Sequence, residues 1–575
     1  MEGYETSVRK LALVNAVRHD GKARLGPTVS AVLAERPEFR ERAKELYRLA
    51  AHIIDEINEL TIEQQRQELD RNWPELLAKK PEEQPEKKLP PLPNANRYPI
   101  IRTRFAPNPD GPLTLGHARP VILCSEYAEA FHGRFILRFE DTSPEVKAPI
   151  DDAYEWIIDD LAWLGARPDE VYYQSDRLGI YYEYAEKLIS SGSAYVCTCR
   201  PEMFRELYFG GEACPCRDQG PTLHLERWRM MLDGRYRAKE AVLRVKTDLG
   251  HPNPAVRDWP ALRISGAKHP RAQAKYRVWP LYNFSCAVDD HLMEITHIIR
   301  GKEHETNTIR QRYLFKHFGW EYPETISVGR LGLETGILSK SRIRSGIQKG
   351  MYTGWDDPRL GTLVALKRRG LQPEAIRKLI LEVGSKPVNA TLTWSNIASA
   401  NKAFVDPTSK RFYFVADPVP LTVKNIPHVF QAKLPLHPDR PEWGTRQYEI
   451  APMDGQAAFV ISDSDSALLK EDKLIRLIGL FNISKSSSHD SRIAEYLSEP
   501  YADARAIGAP LIHWLPRETG IKTKVMMPDG STTRGVAESA CRDLDTETVV
   551  QFERFGFVRL DKIEEDCLSF YYAHR

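Results

Sequence analysis

The sequence predicts a multidomain α/β protein. A parallel sheet with helices on both faces is preceded by a helical region and followed by β-barrels. Three observations predict this. Between about Asn96 and Tyr195 short apolar runs alternate with helical faces, the βαβα pattern of a parallel sheet. Residues 1 to about 75 are rich in Ala, Leu, Glu and Arg, with Ile53, Ile54, Ile57 and Leu60 at helical spacing. From about Ala403 onward the apolar runs are short, β-like and punctuated by Pro and Gly. A chain of 575 residues, 42% hydrophobic and 28% charged, has ample core for roughly three to five such domains.

The elements follow in order. Residues 1–80 form a helical N-terminal extension, with a loop-like, base- and glycine-rich piece from Asn15 to Leu33. Residues 81–95 are a linker, proline-rich and charged in Pro81–Pro93 (PEEQPEKKLPPLP). Residues 96–196 carry the first half of the sheet domain, with strands at Tyr98–Phe105, Phe135–Phe139 and Val171–Tyr173. Helical faces fall between them at Tyr154–Leu164 and Leu178–Ile189, closed by Gly165 and Gly192. Residues 197–274 follow, and 275–345 resume the sheet domain with strands at Ile295–Ile299 and Ser327–Leu333. Residues 346–400 are helical. Residues 401–575 hold the barrel strands, among them Phe412–Val415, Tyr448–Ile450, Ala458–Ile461, Thr548–Phe552 and Phe557–Leu560.

The chemistry centres on Arg104–Arg119, RFAPNPDGPLTLGHAR. It joins an apolar strand to a helix expected from about His117 to His132, with Pro120 in its first turn and Gly133 as its stop. A strand, a tight Pro/Gly loop and a helix start direct backbone N–H groups at whatever sits above the loop, and a phosphate is the natural guest. His117 stands at the helix mouth as a donor to a phosphoryl oxygen, or as a histidine with a purely structural hydrogen bond. Cys197-x-Cys199 and Cys214-x-Cys216, with fourteen residues between the pairs, suit a tetrahedral structural zinc ion. Four buried reduced thiols are the other reading. Net charge is only +2, so a nucleic-acid surface would have to come from local clustering. No run approaches membrane-spanning length and no early apolar segment resembles a signal peptide. Eight cysteines in such a chain suggest a reducing cytoplasm.

The first motif resembles the HIGH signature of class I aminoacyl-tRNA synthetases, most closely that of the glutamyl and glutaminyl branch. Ile337–Ser341, ILSKS, is similar to the KMSKS loop of the same class. Two departures stand out: Thr114 replaces the first histidine of HIGH, and Ile337 replaces the first lysine of KMSKS. The resemblance extends over essentially the whole chain. LHPDRPEWGTR (Leu436–Arg446), IHWLP (Ile512–Pro516) and VQFERFGFVRLD (Val550–Asp561) are similar to anticodon-binding barrels of glutaminyl and archaeal or eukaryotic glutamyl enzymes.

That resemblance implies a Rossmann-type catalytic domain that ligates L-glutamate to the 3′ end of tRNA(Glu), with tRNA(Gln) as a second acceptor left open. ATP with Mg2+ would bind over Pro107, Asn108, Pro109, Gly111, Thr114, Gly116, His117, Ser339, Lys340 and Ser341. Lys340 would be a mobile cation closing on pyrophosphate, and His117 a donor to the triphosphate. Arg104 would engage the substrate side chain, Glu140 would accept from its α-ammonium group, and Tyr282 would line the pocket. Glu140 could instead be a strand-end carboxylate paired with Arg138 or Arg104. Arg300, at a place where glutaminyl enzymes carry a small uncharged residue, would favour glutamate. Its alternative is an outward arginine paired with Glu303 or Glu305. The resemblance also implies that residues 197–274 are an acceptor-binding insertion that breaks the sheet domain and holds zinc, and it implies a cytoplasmic monomer with no membrane partner. Glutaminyl-tRNA synthetase is the competing enzyme, and a non-catalytic tRNA-binding paralogue the competing reading of another class.

Overall fold

The computed structural model describes residues 2–18, 21–36, 39, 43–73, 89–470, 473–486 and 492–575. They fall into two compact units, Met1–Lys88 and Leu89–Arg575. The first contains helices α1 (Glu2–Arg18), α2 (Leu25–Glu35), α3 (Ala43–Glu59) and α4 (Ile62–Asn72). On α3, Leu46, Ala50, Ile53 and Ile57 recur at helical spacing and are buried with Ala12 and Ala16 of α1 and Val29 and Val32 of α2. The piece from Asn15 to Leu33 is therefore mostly helix, not loop. Its basic and glycine residues obscured the Val29/Val32 face, and Gly21 (φ +83°) supplies the turn. Of the expected linker, residues 81–88 lie outside the described residues.

The second unit is built on a five-stranded parallel sheet. Its strands are β1 (Arg102–Phe105), β2 (Arg134–Phe139), β3 (Glu170–Tyr173), β8 (His297–Gly301) and β9 (Glu324–Val328), in the order β3-β2-β1-β8-β9. Thr103 of β1 is aligned with Phe135 on one side and His297 on the other. The order reverses between β1 and β8, and ligands of such sheets bind above the strand ends at that switch point. Helices α5 (Leu115–Ala130), α6 (Ala153–Trp163) and α7 (Leu178–Ser190) connect the first half. Helix α5 starts two residues earlier than expected and ends before Gly133, and Pro120 lies in its second turn. Gly133 closes the helix, its N–H donating to Ala128 O (2.8 Å), and it also serves packing: a Cβ there would sit 2.1 Å from the Ile101 carbonyl oxygen.

Four antiparallel strands form the insertion: β4 (Ala194–Cys197), β5 (Val242–Val245), β6 (Pro260–Ile264) and β7 (Val278–Pro280), with α8 (Pro201–Gly210) and α9 (Pro221–Leu232). This sheet opens three residues before, and closes six after, the bounds read from sequence. Helices α10 (Tyr282–Leu292) and α11 (Glu305–Phe318) flank β8. The strand expected over Ser327–Leu333 is two. After β9 the chain turns at Gly329, whose Cβ would meet Val388 at 2.1 Å. β10 (Leu331–Leu333) then leaves the main sheet to pair with β11 (Ala390–Leu392). Lys340 begins α12 (Lys340–Gln348), so the ILSKS segment is a loop running into a helix. Helices α13 (Leu363–Arg368), α14 (Pro373–Val383) and α15 (Trp394–Val405) complete this part.

The remainder is mainly β, with two seven-stranded sheets of barrel-like form and a two-stranded ribbon among the described residues. Phe459, Phe481 and Trp514 centre one core, Phe414, Phe552 and Phe570 the other. The expected strand Phe412–Val415 is interrupted at Tyr413 into β12 (Arg411–Phe412) and β13 (Phe414–Ala416). They occupy opposite ends of one sheet, so the chain across Tyr413 brings those ends together, which is how a barrel avoids open edges.

Candidate active site

Sequence-distant segments converge above β1 and β8. The loop after β1 is fixed by its own backbone: the N–H of Glu140 donates to Pro107 O (2.9 Å), that of Ile150 to Pro109 O (2.9 Å). Asn108 Nδ2 donates to Glu140 O (3.0 Å). Gly111 has φ +149°, and Trp355 lies 2.7 Å from where a Cβ would be, so no side chain fits. Leu113 N–H donates to the buried Asp160 Oδ2 (2.7 Å), and Leu115 N–H to Gly361 O (2.9 Å). Gly116 and His117 lie in the first turn of α5. His117 Nδ1 is 3.1 Å from Thr114 N and 3.0 Å from Thr114 Oγ1. Burial, with Lys340 and Lys147 adding positive charge, lowers the His117 pKa to about 3, so the ring is neutral.

Lys340 reaches across to this loop. Its Nζ donates to Gly111 O (2.9 Å) and Asn108 O (3.2 Å) and pairs with Asp110 Oδ1 (3.1 Å). Burial lowers its pKa, with Asp110 opposing. Ser339 and Ser341 flank it, their hydroxyls 3.2 Å apart. The two signature segments are thus in direct contact. The lysine read as mobile is held here by an aspartate that the sequence reading had not singled out.

The adjoining pocket is dominated by buried charge. Asp290 of α10 pairs with Arg104 (Nε–Oδ1 3.1 Å) and Arg138 (Nη1–Oδ1 2.8 Å). Both guanidiniums hold its pKa at about 2 against burial, the largest single influence, which pushes it up. Arg138 Nη2 also donates to Glu140 Oε1 (3.2 Å) and Cys286 Sγ (3.2 Å). Arg104, expected to face the substrate, therefore has Nε and Nη2 on Asp290, and Glu140 does pair with Arg138. Tyr282 OH lies 3.4 Å from His304 Nδ1.

Arg300 differs from its neighbours. It is 6% exposed. Its Nη2 donates to Thr308 Oγ1 (2.6 Å), Gln311 Oε1 (3.0 Å) and Tyr322 OH (3.1 Å), all neutral acceptors. Nε and Nη1 are buried without a partner. It is not turned outward, and Glu303 pairs instead with Arg330 (3.7 Å). Asp289, the other buried carboxylate nearby, is taken by Arg177 (2.8 Å), Tyr181 and Gln174. Arg104 and Arg138 are thus met by Asp290, Glu140 and, for Arg138, Asp289 (Nε–Oδ2 3.9 Å), whereas Arg300 has no carboxylate partner among the described residues.

In the insertion, Cys197, Cys199, Cys214 and Cys216 bring their sulfurs within 4.8 Å of one another. Cys197–Cys214 are 3.8 Å apart and Cys199–Cys216 3.7 Å, all free thiols. A tetrahedral Zn–S4 site with bonds of about 2.3 Å has S···S edges of about 3.8 Å, so the donor set fits zinc. Tyr195 OH accepts from Cys214 Sγ (3.6 Å), a support outside the cluster.

Comparison with known proteins places this arrangement. Residues 100–407 match the catalytic domain of the class I tRNA synthetases (E and Q), and 409–498 and 511–561 match anticodon-binding domains of the same group. The chain belongs to the class I tRNA synthetases of the E and Q type. It is 51% identical over 572 residues to the glutamate–tRNA ligase of Pyrococcus furiosus, covering 98% of this chain and 99% of that one. Similarity to the glutamate–tRNA ligases of Thermococcus kodakarensis (49% over 581 residues) and Methanothermobacter thermautotrophicus (46% over 575) spans 100% of each chain. This synthetase is an aminoacyl-tRNA ligase. Sequence reasoning had missed Asp110, Asp160, Asp290 and the Thr308–Gln311–Tyr322 cradle. Asp290 left a trace, a doubled aspartate among apolar residues in FSCAVDDHL. The cradle left none.

Proposed function

We propose that this chain activates L-glutamate with ATP and transfers it to the 3′ end of tRNA(Glu). The observation that carries the choice of glutamate is Arg300, a buried cation with two unpartnered nitrogens and no carboxylate among the described residues. Glutamate brings a side-chain carboxylate that can pair with Arg300; glutamine, with a neutral amide, leaves that buried cation uncompensated. Such a deficit costs several kcal/mol, about 2–5 for a desolvated charge stripped of its partner. A glutaminyl enzyme would place a small uncharged residue where Arg300 stands.

In this reading the substrate α-carboxylate oxygen attacks the α-phosphorus of magnesium-bound ATP and pyrophosphate leaves. Little covalent work falls to the protein; positioning and charge stabilisation dominate. Neutral His117 donates to the phosphate, and Lys340 exchanges Asp110 for the pyrophosphate. A ribose 2′-OH of the terminal adenosine then attacks the carbonyl carbon and AMP leaves. Cys197, Cys199, Cys214 and Cys216 would hold a structural zinc ion that shapes the insertion.

The test is aminoacylation with radiolabelled glutamate and glutamine, each offered with purified tRNA(Glu) and tRNA(Gln). Glutamate on tRNA(Glu) is the expected result, and glutamate on both tRNAs identifies a non-discriminating enzyme. Glutamine on tRNA(Gln) without glutamate transfer refutes the reading of Arg300.

A further inference from the structure

The residue standing where this class of enzymes has its first HIGH histidine is not simply a lost contact. Thr114 lies immediately before α5 with extended backbone (φ −115°, ψ 165°). Its backbone N–H points at His117 Nδ1 (3.1 Å), and its hydroxyl oxygen lies 3.0 Å from the same nitrogen. A backbone N–H can only donate, so Nδ1 must accept and the ring proton must reside on Nε2. Nε2 has no partner among the described residues. Thr114 is itself 1% exposed and paired across to Thr362, so its main chain is not free to rotate away.

We infer that Thr114 is a positioning residue: it fixes His117 as the neutral Nε2–H tautomer and aims that single donor into the space below Lys340. The position of the missing histidine is then used indirectly, through the histidine that remains. The charged groups acting on the ring, Lys340 from α12 and Lys147 from the segment after β2, are both cations and oppose a second proton. Phe105 of β1 closes another side, ring centroids 6.4 Å apart. No carboxylate on those elements pairs with the imidazole, so its donor character does not switch with pH.

This inference rests on the proposed phosphate-facing role of His117, and its first test is independent of any substrate. The full chain, 15N-labelled at histidine and assigned by the loss of one signal pair in His117→Asn, reports tautomer and charge directly. The expected spectrum shows a neutral, Nε2-protonated His117 from about pH 5.5 to 8, the range in which an ordinary histidine titrates. A proton on Nδ1, or titration within that range, overturns the inference even if the enzyme charges glutamate as proposed. The second test is kinetic, by pyrophosphate exchange with tRNA(Glu) present. Thr114→Val keeps the shape and the backbone donor but removes the hydroxyl. It is expected to lower kcat about fivefold with KM for ATP unchanged within about twofold. Thr114→Ser, which restores the hydroxyl, is expected to recover kcat to within about twofold of the parent. Parental kcat in Thr114→Val, or equal loss in Thr114→Ser, contradicts the role of the hydroxyl.

Discussion

Two regions of this molecule bury arginines, and they do so differently. Between the C-terminal barrels, Arg446 is 4% exposed at its side chain and is met by two carboxylates, Glu538 (2.6 Å) and Glu553 (2.7 Å). Above the parallel sheet, Arg300 is as deeply buried and meets only neutral oxygens. The first cation is balanced by its own chain and fastens the structure. The second is left unbalanced by its own chain, which is what a binding site for an anion requires. Buried charge therefore separates into structure and function according to whether its partner is covalently present.

The comparison is sharpened by truncating each cation. Arg446→Met leaves Glu538 buried and unpaired, and breaking such a pair costs about 3–5 kcal/mol of stability. A fall in the denaturant midpoint is expected, with glutamate activation retained where the variant is folded. Arg300→Met should do the reverse: glutamate activation falls by about 10²–10³ while the denaturant midpoint stays or rises, because an uncompensated buried charge is removed. If Arg300→Met unfolds the protein as readily as Arg446→Met does, the distinction between the two regions is lost.

A third cation lies between these extremes. Lys340 has a carboxylate, Asp110, and two backbone carbonyls, yet must give them up if it serves pyrophosphate. Lys340→Ala is expected to lower the rate of adenylate formation by about 10²–10³ with tRNA affinity unchanged. Filter binding measured beside pyrophosphate exchange separates the two effects.

A pH-dependent effect concerns Asp160, which burial pushes up from 3.8 to about 7 despite the Leu113 N–H bond. A carboxyl whose folded pKa is raised favours the folded state while protonated. Its contribution is full near pH 4 and is lost as pH rises through about 7. Asp160→Asn keeps an acceptor for Leu113 and removes the titration. Its denaturant midpoint is expected to lose that part of the pH dependence, whereas an unchanged profile would mean Asp160 titrates normally.

The fold and the site were unequally legible in the sequence. Alternating apolar runs marked β1 to β3 and their helices because the side-chain period is a local property of backbone geometry. The Pro/Gly loop at 107–116 and the ILSKS segment were visible as local motifs, and the two CxC pairs as a donor set. The boundaries that moved did so for nonlocal reasons. Gly133 ends its helix as read but is glycine because Ile101, just before β1, approaches it, and Leu331–Leu333 leaves the main sheet because a strand some sixty residues away receives it.

The sequence by itself determined which chemistry-bearing residues this protein has: His117, Lys340, Arg104, Glu140, Arg300 and four cysteines, each in a locally readable setting. Only the tertiary structure decided which of them are satisfied. Asp290 claims Arg104 from 186 residues away, Asp110 claims Lys340 across 230, and no carboxylate among the described residues claims Arg300. The physical reason is that charge compensation in a low-dielectric interior depends on distances of a few ångströms, and neither composition nor periodicity encodes those distances.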